Sequence, residues 1–135
     1  MVLIKVRIVY LNLVAPKENF NSPKPVLIWI HGGAFVTGTS IDLFTRPILT
    51  PLRSNIVFVS MNYRLGSFGF LYADEKRDDA PGNVGLYDQL LAIKWVDDNI
   101  GAFGGDPKQI TLHGASSGSI SVSLHILSPL SRNLF

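Results

Sequence analysis

The stretch Ile110–Val122, "ITLHGASSGSISV", decides the fold. Gly114, Ser116 and Gly118 spell GxSxG, which either presents a serine hydroxyl on a tight strand-to-helix turn or is a small-residue bend without chemistry. With 12 Gly and 12 Ser among 135 residues, roughly 0.1 such matches arise by chance, so the spacing has little weight alone. Its surroundings carry more. "ITLH" is a short apolar strand that runs straight into the motif, and the residues after it must choose between two periods. "SISVSLHI" alternates small polar and apolar residues at period two, a strand pattern; Ile120, Leu124 and Leu127 form one helical stripe and Val122 and Ile126 another. A helix apolar on two sides, with serines for close packing, suits a central buried position, and helix is the reading adopted. A strand there would abolish the turn.

Upstream, "VLIWI" (Val26–Ile30) and "NIVFVS" (Asn55–Ser60) are continuous apolar runs of the kind covered on both faces in parallel sheets. Between them "IDLFTRPILTPLRS" reads as a short helix broken by Pro47 and Pro51. Asn83 is the expected cap of a helix over Val84–Asn99, with Leu86, Leu90, Leu91 and Ile93 inward and Asp88, Lys94, Asp97 and Asp98 left for solvent. "MNYRLGSFGFLYADEKRDDAPG" reads as an irregular excursion in which Arg64 makes a structural ion pair and Asp74, Glu75, Asp78 and Asp79 form a solvated loop. At the amino terminus Val2, Ile4, Val6, Ile8 and Tyr10 alternate with other residues and predict a strand. Lys5 and Arg7 interrupt that segment, which is too short for a membrane span and lacks the form of a signal peptide. The order strand, helix, strand implies a right-handed βαβ unit and the α/β class in a single domain over residues 1–135.

Composition excludes several functions. The chain is 47% hydrophobic and only 16% charged, which is little polar surface for so small a body, so some apolar faces are expected to meet protein that is absent, as in a truncated domain. The net charge of +2 is spread along the chain, with no basic run for nucleic acid. There are no cysteines, and His31, His113 and His125 lack metal-ligand spacing, so no metal is implied and each is expected to be structural. Neither GxGxxG nor GxxxxGK[ST] is present, which leaves a nucleotide-binding module a weak alternative, and no cofactor is called for.

A second glycine bend supplies what a reactive serine needs. In "WIHGGAFVTG" a strand ends at His31, Gly32, Gly33 and Ala34, where the lack of bulky side chains lets backbone N–H groups approach a small anion.

Four blocks in order, "PVLIWIHGGAF", "NYRLGSFGFL", "APGNVGLYDQLLAIKWVDDNIGAFGGDP" and "SLHILSPLSRNLF", resemble the amino-terminal third of type B carboxylesterases, the α/β-hydrolase family that contains the cholinesterases. The resemblance runs from about Val9 onward. It implies a partial α/β-hydrolase fold, a mostly parallel sheet with flanking helices, and a small-molecule carboxylic ester as substrate. It also implies Ser116 as nucleophile and the backbone N–H groups of Gly33, Ala34 and Ser117 as the oxyanion hole. Secretion or an endomembrane location is common in such proteins. The pattern is broken in places: the family's glutamate before the serine is Ala115 here, which puts a choline preference in doubt, and the cysteine expected near Arg7–Val9 is absent.

The triad acid and histidine of this fold follow the serine in sequence. The 19 residues after Ser116 hold no Asp or Glu. His125 sits nine residues along the helix, ~13 Å away at 1.5 Å per residue, and His113 is expected to point into the sheet. A serine with oxyanion donors and no base is expected to be inactive alone. A non-catalytic cholinesterase-like adhesion or scaffold protein is the alternative. Trp29 and Trp95 are expected in the core, and Phe35 has a claim on the substrate gorge.

Overall fold

A computed structural model describes residues 2–6, 9–16, 22–41, 55–74, 76 and 79–135. Five strands, β1 (Val2–Val6), β2 (Val9–Val14), β3 (Lys24–Ile30), β4 (Val57–Met61) and β5 (Gly105–Gly114), form one sheet in the order β1-β2-β4-β3-β5. β3 pairs parallel with β4 and with β5, whereas β2 pairs antiparallel with β1 and β4. Helices α1 (Gly66–Phe70), α2 (Val84–Asn99) and α3 (Ser117–Leu127) complete it, with a 3₁₀ turn at Ile100–Phe103. This mixed, mostly parallel sheet flanked by helices is the expected partial α/β-hydrolase fold.

β3 and β4 lack polar alternation because both of their faces are covered. Ile28 and Ile30 of β3 and Val57 and Val59 of β4 join Ala92, Ile93 and Val96 of α2 in the main core. The alternate residues Trp29 and Phe58 turn to the opposite face, where they pack with Val14 and the half-buried Leu27 and Ala115. β5 occupies an edge of the sheet and does alternate, Ile110 and Leu112 inward, Thr111 and His113 exposed. His113 therefore does not point into the sheet, as the sequence suggested. Its ring projects outward and tilts against Trp29, centroids 5.1 Å apart.

Other expectations are corrected by tertiary packing. The amino-terminal alternation is carried by a hairpin rather than one strand, because the chain reverses between Val6 and Val9, which pair. Asn83 stands at the N-cap of α2, but with φ 54° and no side-chain capping bond; its role is conformational. The inward face of α2 is Gly85, Asp88, Gln89, Ala92, Ile93 and Val96, so Asp88 is buried rather than solvated. These six recur at helical spacing, yet two are polar, and an apolar stripe could not reveal them. In α3 the buried residues are Ser117, Gly118, Ser121 and His125. The stripe residues Ile120, Leu124, Ile126 and Leu127 are 41–76% exposed while Val122 packs partly on the core, so the helix buries mainly small and polar residues and turns most of its apolar stripes outward. The helix reading of α3 itself holds: Ser121 Oγ donates to the Ser117 carbonyl at 3.0 Å and Ser123 Oγ to that of Ser119 at 3.2 Å, which settles the serine hydroxyls inside the helix. The proposed helix of residues 42–54 lies outside the described residues, as do Glu75 and Asp78; Asp74 and Asp79 are exposed.

Asp88 is buried because Arg64 meets it. The carboxylate accepts from Arg64 Nη2 at 2.7 Å, Nε at 2.8 Å and the Arg64 backbone N–H at 3.0 Å, which ties the excursion after β4 to α2. The structural ion pair expected of Arg64 is this one. Arg64→Ala leaves a buried carboxylate with one donor and is expected to lower unfolding free energy by about 2 kcal/mol, more than Asp88→Asn does, because removing the cation strands the charge. Urea denaturation of both variants reads the order. Equal losses would show that the bond geometry, not the buried charge, carries the stability.

Candidate active site

The glycine bend begins where β3 ends. Gly33, Ala34 and Phe35 have φ of 112°, 54° and 60° in succession, a run of left-handed residues that costs about 1 kcal/mol or more at each non-glycine position and needs external support. The Val36 and Thr37 amides both donate to the Gly33 carbonyl at 2.9 Å and close the turn. Position 33 must be glycine, since a Cβ there would overlap the Thr37 carbonyl. Farther along, buried Ser40 anchors the loop: its hydroxyl accepts from Asn12 Nδ2 at 2.6 Å and its amide donates to Asn62 Oδ1 at 2.8 Å. The Gly66 amide donates to the Phe35 carbonyl at 2.7 Å.

The serine turn begins where β5 ends. Ser116 has φ 52° and ψ −123°, and α3 starts at the next residue. The Ser116 carbonyl accepts from the Ser119 amide at 2.9 Å and the Ile120 amide at 3.1 Å, so the turn is locked by the helix it opens. The glycines two residues either side of Ser116 have one steric reason. A Cβ on Gly118 would overlap the Ile30 carbonyl at the end of β3, and one on Gly114 would overlap the Gly118 backbone. The ends of β3 and β5 and the first turn of α3 thus meet backbone to backbone, which forces Ser116 out into a strained, exposed position.

The two bends face each other. A Cβ on Gly32 would lie 3.1 Å from the Ser116 Cβ, and a cleft of about 620 Å³ is lined by Trp29, His31, Gly32, Gly33, Ala115 and Ser116 among others. Gly33 and Ser116 share this wall. Ala34 lines an adjoining cavity with Phe35, Phe70 and Tyr72. Ser117 is buried at the first helical position, where an amide has no intrahelical acceptor and the positive end of the helix dipole lies. Trp29 is a core residue and also a wall of the cleft. Trp95 is half-buried against Phe103, and Phe35 packs edge-on against Phe70 at 5.0 Å.

Sequence reading missed Tyr63. Its ring stacks on His31 at 4.5 Å and its hydroxyl donates to the His31 carbonyl at 2.8 Å. Burial pushes the Tyr63 hydroxyl pKa up, and the nearby Ser117 hydroxyl offsets part of that. Only its place just after β4 hinted at a role.

Two of the three histidines are built into the structure. His31 is buried in its stack on Tyr63. His125 is buried between α2 and the turn after α3, with Nε2 3.0 Å from Gln89 Oε1 and Nδ1 3.1 Å from Ser131 Oγ. Gln89 Nε2 donates to Ser121 Oγ at 3.2 Å, so its Oε1 is left to accept from His125 Nε2–H, which suits a neutral ring. Burial accordingly lowers the His125 pKa to about 4. Among the described residues no group of three or more His, Asp or Glu side chains is arranged to hold a metal, and no helix is long and apolar enough to cross a membrane.

A hydroxyl at a helix N-terminus, facing a bend rich in backbone amides, can attack an acyl carbon and stabilise the charge that develops on its oxygen. Comparison with known proteins points the same way. Residues 9–135 match the model of the Carboxylesterase family. The chain is 48% identical to an acetylcholinesterase of Leptinotarsa decemlineata over 126 residues, which cover 89% of this chain and 20% of that protein. It is 50% identical to an acetylcholinesterase of Danio rerio over 127 residues, 93% of this chain and 20% of the relative, and 48% identical to Esterase B1 of Culex pipiens, covering 93% and 23%. It spans about a fifth of the length of these relatives. With the strand order, the serine turn and the glycine bend as described, the chain belongs to the carboxylesterase family.

Proposed function

We propose that the chain carries the nucleophile and oxyanion hole of a serine carboxylic ester hydrolase. The observation that supports this best is the strained Ser116 backbone, φ 52° and ψ −123°, at a strand-to-helix turn facing a second bend of left-handed residues. Strain of this kind persists only where surrounding structure holds it, and here what it exposes is a hydroxyl. Ser116 Oγ attacks the ester carbonyl and the carbonyl oxygen becomes an oxyanion held by the amides of Gly33, Ala34 and Ser117. The C–O bond then breaks with release of the alcohol, and water hydrolyses the acyl-serine. Position 115 offers the small side chain of Ala115, packed on the Trp29 cluster, where a carboxylate would favour a cation, so this position gives no support to a choline preference.

None of the three imidazoles is bonded to Ser116, and His31 is held in its stack on Tyr63 with Nδ1 2.8 Å from the Gly32 carbonyl. Both nitrogens of His125 are engaged by Gln89 and Ser131, and His113 projects from β5 beside Trp29. The isolated chain therefore acylates slowly and does not turn over esters efficiently. The test is intact-mass labelling with a fluorophosphonate at millimolar concentration, alongside p-nitrophenyl acetate hydrolysis. The expected result is one adduct per chain at Ser116, lost in Ser116→Ala, with ester turnover the same in both proteins. No adduct would remove the nucleophile, and fast turnover that depends on Ser116 would show that a base is present.

A further inference from the structure

We propose that the Ser117 side-chain hydroxyl is a positioning group, pinning the glycine bend at residues 33–35 to the first turn of α3 so that amide donors from two separate loops share one rigid frame. This rests on the reading of Ser116 as nucleophile and gives a second role to Ser117, distinct from that of its backbone amide. The hydroxyl joins the bend to α3. The Phe35 N–H donates to Ser117 Oγ at 3.3 Å across 82 residues of sequence, and Phe35, at φ 60°, follows directly on Ala34 at φ 54°. The Tyr63 hydroxyl donates to the His31 carbonyl at 2.8 Å, which holds the start of the same bend from the other side.

Ser117 is 2% exposed, so water does not replace these partners when the hydroxyl is removed. An alanine there would leave the Phe35 N–H without this acceptor. The bend would keep its internal closure on Gly33 but lose its tie to the serine turn. The donors would still be present, their spacing no longer held, and displacement of such donors by fractions of an ångström is what an oxyanion hole tolerates least.

The 135-residue chain, Ser117→Ala and Tyr63→Phe are compared by amide hydrogen exchange, by the rate of fluorophosphonate labelling at Ser116 and by NMR titration of Tyr63. In Ser117→Ala the Phe35 amide is expected to exchange about five- to tenfold faster, the scale of one lost hydrogen bond, while Ile28 and Val59 stay protected. Labelling of Ser116 slows about tenfold, and the Tyr63 hydroxyl ionises at higher pH than in the parent because the Ser117 hydroxyl that lowers its pKa is gone. Tyr63→Phe keeps the Phe35 bond and removes the tie to the His31 carbonyl, so Phe35 exchange changes under twofold. Unchanged Phe35 exchange and labelling in Ser117→Ala would overturn the proposal. If the parent is not labelled, the nucleophile reading fails, and Phe35 exchange with the Tyr63 titration still decides the pin. Should Ser117→Ala lose core protection, the near-isosteric Ser117→Cys, a poor acceptor, decides: faster Phe35 exchange with slowed labelling supports the pin, and parent values for both sink it.

Discussion

Gly118→Ala is expected to destabilise the chain by about 3 kcal/mol, although alanine is the better helix former. Propensity alone would favour alanine in a helix by about 1 kcal/mol. At this position, however, the added Cβ would overlap the Ile30 carbonyl and lie 2.9 Å from the His31 carbonyl, both backbone atoms that cannot swing away. The β3 end and the first turn of α3 must then part, which opens the contact that also holds Ser116 in its strained conformation. Gly101→Ala is the matched control, because a Cβ there meets nothing within 4 Å. Urea midpoints for the two variants should differ in sign relative to the parent. A Gly118→Ala protein as stable as Gly101→Ala would mean that the helix can shift on the sheet, and that the glycine is not what fixes the serine turn.

Acid is expected to remove about 3 kcal/mol through His125 alone. The ring is neutral in the fold, with its pKa lowered by burial to about 4 from an ordinary 6.5. Between these two values the unfolded chain binds the proton and the folded chain does not, so stability rises with pH across the window. The contribution is complete above pH 6.5, about 2 kcal/mol of it is gone by pH 5, and the loss levels off below pH 4. Denaturation between pH 4 and 7 should show this slope, and His125→Asn should flatten it while costing a roughly constant amount from the altered hydrogen bonds. A parent profile no steeper than the variant's would place the His125 ring in water or show it charged in the fold. Because His125 reaches Ser121 of the same helix through Gln89, acid loosens the element that presents Ser116.

What could be read beforehand depended on how local the cause was. "VLIWI" and "NIVFVS" became adjacent parallel strands because strands covered on both faces leave an unbroken apolar run. Val84–Asn99 became a helix over the same bounds. The face of that helix was misjudged because Asp88 and Gln89 are buried by partners from elsewhere in the chain, Arg64 and Ser121, which no periodicity announces. The same holds for α3, whose outward apolar stripes look like a core pattern in one dimension.

The sequence by itself determined the class of fold, the strands at Val26–Ile30 and before Ser116, the helix Val84–Asn99, and the two bends at Gly33 and Ser116, because those follow from apolar periodicity and from backbone conformations and close approaches that glycine permits. Only the tertiary structure decided which groups meet: Gly32 against Ser116, Phe35 on the Ser117 hydroxyl, Tyr63 on the His31 carbonyl, Asp88 under Arg64, His125 between Gln89 and Ser131. The reason is that a buried polar group is stabilised by a partner at a particular point in space, and sequence separation says little about where the folded sheet will bring that partner.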